Sequence, residues 1–211
     1  MQIHLTSASK RFNKEWIFSN LDFSFTTGQH YALIGNNGSG KSTLLQIIAG
    51  YIGLTKGQIN WIDTDGKDID SSNIFQKINI ASPYLELVEE LTALEHIAFH
   101  QQFKSIHSGL KPIEILEKIG LHKAAEKQIR NFSSGMKQRL KLALAIFDQA
   151  PILLLDEPCS NLDQEGIQTY QHLMQTYAKH KLVIIASNDT QEYQFCNQFL
   201  SLSDFKKESA F

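Results

Sequence analysis

Cysteine is scarce in this chain of 211 residues: only Cys159 and Cys196 are present, and no CxxC spacing relates them. That excludes a disulfide framework or a thiolate zinc site and leaves two free thiols, as expected in a reducing compartment. Charge of one sign is lacking too. Lys and Arg number 20 against 22 Asp and Glu, for a formal net charge of −2 and a pI near 6.4. This balance argues against broad electrostatic binding to nucleic acid. No stretch is long and apolar enough to span a bilayer, and the start, Met1-Gln2-Ile3-His4-Leu5-Thr6, shows no basic region followed by an apolar run. The expectation is a soluble, cytoplasmic protein that other chains must hold if it works at a membrane. Internal repeats and low-complexity linkers are also missing, and the length suits one α/β domain with a small insertion.

What the chain does carry is the run Gly35-Asn36-Asn37-Gly38-Ser39-Gly40-Lys41-Ser42, which fits G-x-x-x-x-G-K-[ST] at every specified position. The apolar stretch Tyr31–Ile34 precedes it and Thr43-Leu44-Leu45-Gln46-Ile47-Ile48 follows. That order predicts strand, glycine loop and helix, the context of a phosphate-binding loop. Glycines let successive backbone N–H groups turn inward, and the helix aims its positive end at the same spot. A nucleoside polyphosphate is the natural guest, with Lys41 for the β- and γ-phosphates and the Ser42 hydroxyl for the Mg²⁺ that bridges them.

Alternation in Leu21–Phe25 predicts a half-exposed strand, and Gln58–Ile62 a second, short one. From about Thr92 to Ala150 the apolar spacing is helical, through Leu94, Ile97, Ala98 and then Ile113, Leu116, Ile119. Continuous apolar runs at Ile152–Leu155 and Leu182–Ala186 predict strands covered on both faces of a parallel sheet. A last strand is expected around Phe199–Leu202. Ligands of such sheets lie at the carboxyl ends of the strands, which puts Asp156 and Glu157 beside the phosphate loop. Asp156 is expected to hold Mg²⁺ through water, and Glu157 to polarise a water for in-line attack on the γ-phosphate. Upstream, Ser133 reads as the cap of a helix that continues through Met136-Lys137-Gln138-Arg139.

With Phe132-Ser133-Ser134-Gly135-Met136 and the Lys-Gln-Arg run, the chain resembles the ATP-binding cassette family, whose signature is usually Leu-Ser-Gly-Gly-Gln. Ser133 and Gly135 match; Ser134 and Met136 depart. The order of phosphate loop, helical segment, signature and Asp-Glu strand extends the resemblance over nearly the whole chain. It implies an α/β P-loop fold with a helical subdomain at about 84–150 and an antiparallel β edge. It also implies that Gly35, Asn36, Asn37, Gly38, Ser39, Gly40, Lys41, Ser42 and Thr43 cradle ATP, with Ser42 and Asp156 at Mg²⁺. Two cassettes are implied to pack head to tail, each ATP lying between the loop of one and Ser133 and Gly135 of the other. Asp163, in Ser160-Asn161-Leu162-Asp163, would stand at that interface. Adenine would stack on Phe12, with Trp16 the second candidate. Separate integral membrane permease subunits are the implied partners, placing the chain on the cytoplasmic face of the membrane as the ATP-hydrolysing subunit of a transporter. Compact subunits of bacterial exporters, including those associated with haem export, are similar in length. The alternative is a soluble cassette acting as an ATP-dependent switch on a macromolecule, though no coiled-coil insertion or basic extension points to one.

Two family positions differ. A glutamine is usual after the strand here read at Ile78–Ala81, but Ser82-Pro83-Tyr84 follows, and Gln76 lies on the wrong side. A histidine is usual after Leu182–Ala186; Ser187-Asn188-Asp189 stands there, so Asn188 can bond a γ-phosphate but carry no proton. His96 and His100 are read as a solvent-facing pair, and Glu86, Glu89 and Glu90 as a solvated face. Tyr84, Leu85, Leu87 and Phe99 are expected to form an apolar docking surface for the permease.

Overall fold

The computed structural model describes residues 1–106 and 109–206. Its strands are β1 (Gln2–Phe12), β2 (Glu15–Thr26), β3 (His30–Ile34), β4 (Lys56–Ile62), β5 (Asp68–Ile69), β6 (Ile78–Ala81), β7 (Ile152–Asp156), β8 (Leu182–Ala186) and β9 (Gln198–Ser201). Its helices are α1 (Lys41–Ile48), α2 (Ala93–His100), α3 (Pro112–Lys118), α4 (Ser134–Ile146), α5 (Gln164–Tyr177) and α6 (Thr190–Tyr193). The strands form an antiparallel sheet in the order β2-β1-β4-β5 and a parallel sheet in the order β6-β7-β8-β3-β9.

Period-two alternation explains the layering. Every residue of β7 and β8 is buried, as the unbroken apolar runs require. Leu153, Leu155, Val183 and Ile185 face one core, shared with Leu140 and Ala143 of α4 and Leu173 of α5. Ile152, Leu154, Leu182 and Ile184 face the other, shared with Leu44, Leu45, Ile47 and Ile48 of α1 and with Ile3, Phe18 and Phe25 of the antiparallel sheet. Helix α1 is thereby packed between the sheets, which fixes the loop that enters it.

The expected strands at Leu21–Phe25, Tyr31–Ile34, Gln58–Ile62, Ile78–Ala81, Ile152–Leu155 and Leu182–Ala186 lie within observed ones, and the one around Phe199–Leu202 overlaps β9, which ends at Ser201. Strand β1 was not expected. Its pairing with both β2 and β4 shifts register near Ser7, which sits at φ 47°, and the resulting bulge destroys the alternation that would betray a strand. Between β6 and β7 the spacing is indeed helical. Thr92 caps α2 in a reciprocal box with Glu95, at 3.2 and 2.8 Å.

One surface reading is corrected here. His96 is buried, and His100 turns its Nε2 toward the buried Asp148 carboxylate at 3.6 Å, so the pair is not solvent-facing. The four-residue spacing put both rings on one helix face, and that face is the inner one. The acidic cluster is exposed, but Glu89 is not without a partner, since it pairs with Lys137.

Candidate functional site

Strand β3 delivers the chain to the loop, and Gly40 hands it to α1 in a left-handed conformation, φ 99°. A Cβ at Gly40 would stand 2.2 Å from Ile17 Cγ2, so glycine is required for space as well as for φ. The loop is closed internally by the Ser39 N–H donating to Asn36 O at 2.9 Å. Lys41 Nζ lies within its curve, donating to Gly35 O at 2.6 Å, Asn36 O at 3.4 Å and Asn188 Oδ1 at 3.2 Å. Burial lowers the Lys41 pKa, while the Glu157 and Asp156 carboxylates work against that shift.

Asp156 ends β7, buried, and accepts a hydrogen bond from the Ser42 side chain. Desolvation raises its pKa; the Ser42 bond lowers it, Glu157 raises it further, and Lys41 lowers it. Glu157 is forced into the left-handed region at φ 44° while its N–H donates to Ala186 O at 2.9 Å. Such a conformation costs about 1–3 kcal/mol in a residue with a side chain, and it is a mark of sites where geometry serves chemistry. It swings the exposed carboxyl over the mouth of a cavity of about 490 Å³. The floor of this cavity is the glycine loop with Lys41, Ser42 and Thr43; Phe12, Ile17 and Tyr84 form its apolar wall. Phe12 is 47% exposed there, an aromatic surface available for stacking, with the Lys10 ammonium 4.9 Å from its ring centroid. Trp16 does not line the cavity and packs against Arg11 and Lys56.

Asn188, just beyond β8, does not line the cavity itself but bridges two residues that do, Lys41 and Asn37. Besides accepting from Lys41, it donates through Nδ2 to Asn37 Oδ1 at 2.8 Å, so one amide spans the glycine loop and its lysine. Gln76 lies outside the site, in a short 3₁₀ turn before β6. Ile17 and Tyr84 are site residues that sequence reasoning missed in that role. Ile17 carries no signal, whereas the aromatic Tyr84, next to the divergent Ser82-Pro83, was legible as exposed and was assigned to docking alone.

Ser133, Gly135 and Asp163 do not line this cavity. Ser133 caps α4, accepting from the Met136 N–H at 3.2 Å. A Cβ on Gly135 would come within 2.9 Å of Asn161 O, so the signature glycine admits the loop before α5. Asp163 caps α5 by accepting from the Gly166 N–H at 2.9 Å, and it pairs with Arg139 at 3.2 Å. Buried Gln138 donates to Pro158 O at 2.7 Å. Signature helix, Glu157 loop and Asp163 loop are thus fastened into one unit.

The sequence matches the ABC transporter family model over residues 18–160. The chain belongs to the ABC transporter family. It is 28% identical to the uncharacterised ABC transporter ATP-binding protein YybJ of Bacillus subtilis, over 99% of this chain and 95% of that one. It is 31% identical to the bacitracin transport ATP-binding protein BcrA of Bacillus licheniformis, over 87% of this chain and 60% of that one. Among solved structures, an ATP-binding subunit of an ABC transporter superposes with a TM-score of 0.82 at 23% identity, covering 95% of this chain and 85% of the other. A cassette dimer in a post-hydrolysis state with ADP and Pi gives 0.79 at 24%, covering 94% and 93%. The expectations of family, cassette fold and transporter-type ATPase hold.

An ABC cassette also implies Mg²⁺, and the residues present fit it. Ser42 and Asp156 offer two hard oxygens already in contact beside the phosphate loop. Among the described residues no cluster of three or more His, Cys, Asp or Glu could form a protein-only cage. The ion would therefore complete its shell with phosphate oxygens and water.

Proposed function

We propose that this chain binds Mg-ATP in the cavity above α1, hydrolyses it there, and transmits the resulting opening and closing to membrane permease subunits. The observation that carries the reading is convergence: Lys41, the Ser42–Asp156 pair, Glu157 and Asn188 meet at the carboxyl ends of β3, β7 and β8. Phe12 stacks the adenine, and the backbone N–H groups of Asn36 to Thr43 receive the phosphates. Ser42 and Asp156 would hold Mg²⁺, which would supply charge neutralisation to the phosphate oxygens. Lys41 exchanges its loop carbonyls for those oxygens. Glu157 orients and polarises the attacking water, and Asn188 donates a hydrogen bond to the γ-phosphate without moving a proton.

One cassette leaves the outer face of ATP uncovered, because its own Ser133 and Gly135 lie off the cavity. A second cassette, packed head to tail, would supply them, with Asp163 near the seam. No described helix is long and apolar enough to cross a membrane, so attachment at the cytoplasmic face would come through the permeases. The segment of about 84–150 would act as the helical subdomain that meets them.

Substitution separates binding from turnover. Lys41→Ala should weaken ATP binding, whereas Glu157→Gln should keep binding, stop hydrolysis and accumulate as an ATP-held dimer on size-exclusion chromatography with Mg-ATP. A Glu157→Gln protein that hydrolyses ATP at the parental rate would sink the assignment.

A further inference from the structure

Beneath the site lies a carboxyl that the mechanism above does not use. Glu192, on α6, is 4% exposed. Its Oε1 accepts the backbone N–H of Cys159 at 2.7 Å, and the Ser187 Oγ accepts the Asp189 N–H at 2.9 Å, where α6 begins. Oε2 is buried with no hydrogen-bond partner. Its backbone carbonyl accepts the Tyr170 hydroxyl of α5 at 2.8 Å. Cys159 lies two residues beyond Glu157, and Ser187 is the residue before Asn188. One buried carboxylate, on the helix that begins directly after Asn188 and Asp189, therefore holds the loop that follows Glu157.

Burying a carboxylate with half its acceptor capacity idle is costly, and a purely structural bridge would be served better by a neutral, fully satisfied group. Burial pushes the Glu192 pKa up; Ser187 and Cys159 restrain the rise, while the charges of Asp189 and Glu157 add to it.

We propose that Glu192 is a positioning residue for ATP hydrolysis, tying the loop after β7 to the loop after β8 so that Glu157 and Asn188 keep a fixed separation across the γ-phosphate. This rests on the proposed function. The tie does not touch the phosphate-binding loop, so loosening it should disturb the transition state and leave nucleotide binding intact. In-line attack is sensitive to misplacement on the ångström scale.

The test compares steady-state Mg-ATPase and binding of a fluorescent ATP analogue for the parent, Glu192→Met, Glu192→Gln and Ser187→Ala, all as full chains. Met keeps the volume and removes the acceptor: kcat should fall about tenfold or more, with KM for ATP and analogue affinity within about twofold of the parent. Gln retains an acceptor for the Cys159 N–H and should restore kcat to within about threefold of the parent. Loss in the Gln variant equal to that in Met, or a Met variant as fast as the parent, overturns the inference. If the Met variant loses analogue binding and so has not folded, Ser187→Ala decides: it should lower kcat several-fold at unchanged KM, and a parental kcat overturns the inference. A parent with no Mg-ATPase overturns the proposed function, and this inference with it; an active parent with insensitive variants overturns this inference alone.

Discussion

Asn188 shows what a single residue can and cannot replace. A carboxamide offers an acceptor oxygen and two N–H donors in fixed directions; here the oxygen accepts from Lys41 at 3.2 Å and one N–H donates to Asn37 at 2.8 Å, which leaves the second N–H for the γ-phosphate. It holds the lysine over the loop, but it has no proton to give or take near neutral pH. Asn188→Ala should therefore slow hydrolysis by roughly one hydrogen bond, about 0.5–1.5 kcal/mol in the barrier. Asn188→His should keep or raise the rate. Steady-state ATPase at saturating Mg-ATP checks both, and an Ala variant as fast as the parent would remove residue 188 from the reacting phosphate. The glycines, Lys41, Ser42 and the Asp156-Glu157 pair were legible because a phosphate-binding loop and the acidic end of its neighbouring strand dictate residue type and spacing. The Asn37–Asn188 bond and the grip of Glu192 on Cys159 were not, since both join residues far apart in sequence and neither partner is an unusual residue for its local position.

At the scale of elements, periodicity revealed what was regularly buried. Strands β7 and β8 stood out because both faces are covered, and α4 because a serine cap announces its start. The same logic failed for β1, where a bulge interrupts alternation, and for the inward histidines of α2, whose spacing gives a face without saying which way it turns. Among the residues expected to dock the permease, Leu87 packs partly against the helical core, whereas Tyr84, Leu85 and Phe99 are exposed. Tyr84 also lines the cavity proposed to take the nucleotide, so changing it would confuse two functions. The cleaner variant is Leu85→Asp with Phe99→Asp. Recovery of the chain with membranes should drop strongly while the ATPase of the isolated chain stays within about twofold of the parent, because rim charges on a docking face disrupt association without touching the fold. Unchanged membrane recovery would move the partner surface elsewhere or favour a soluble role.

For the whole molecule, burial of titratable groups in both cores sets how stability answers to pH. His30, at the start of β3, and His96, on α2, both have pKa values lowered from 6.5, chiefly by desolvation; a bond to Ala178 partly opposes this for His30, and His100 adds to it for His96. As pH falls through 6.5 the unfolded chain takes up protons that these two rings refuse in the fold, so stability falls with pH. Lys181 acts in the same sense at the alkaline end: burial lowers it from 10.5 to about 8, so its contribution rises with pH across that interval. Asp156 and Glu192 act in the opposite sense. Their raised folded values add stability that is fully present below the ordinary carboxylate range and is lost as pH climbs through the folded value. The net slope of the parent mixes these contributions, but a difference isolates the rings. The His30→Gln, His96→Gln double variant should lose less thermal midpoint than the parent between about pH 7.5 and 5, the interval in which an unperturbed imidazole charges. Parallel melting curves for the two proteins across that interval would mean that the rings protonate in the fold as readily as in the unfolded chain. Burial at β3 and α2 would then not be what resists acid.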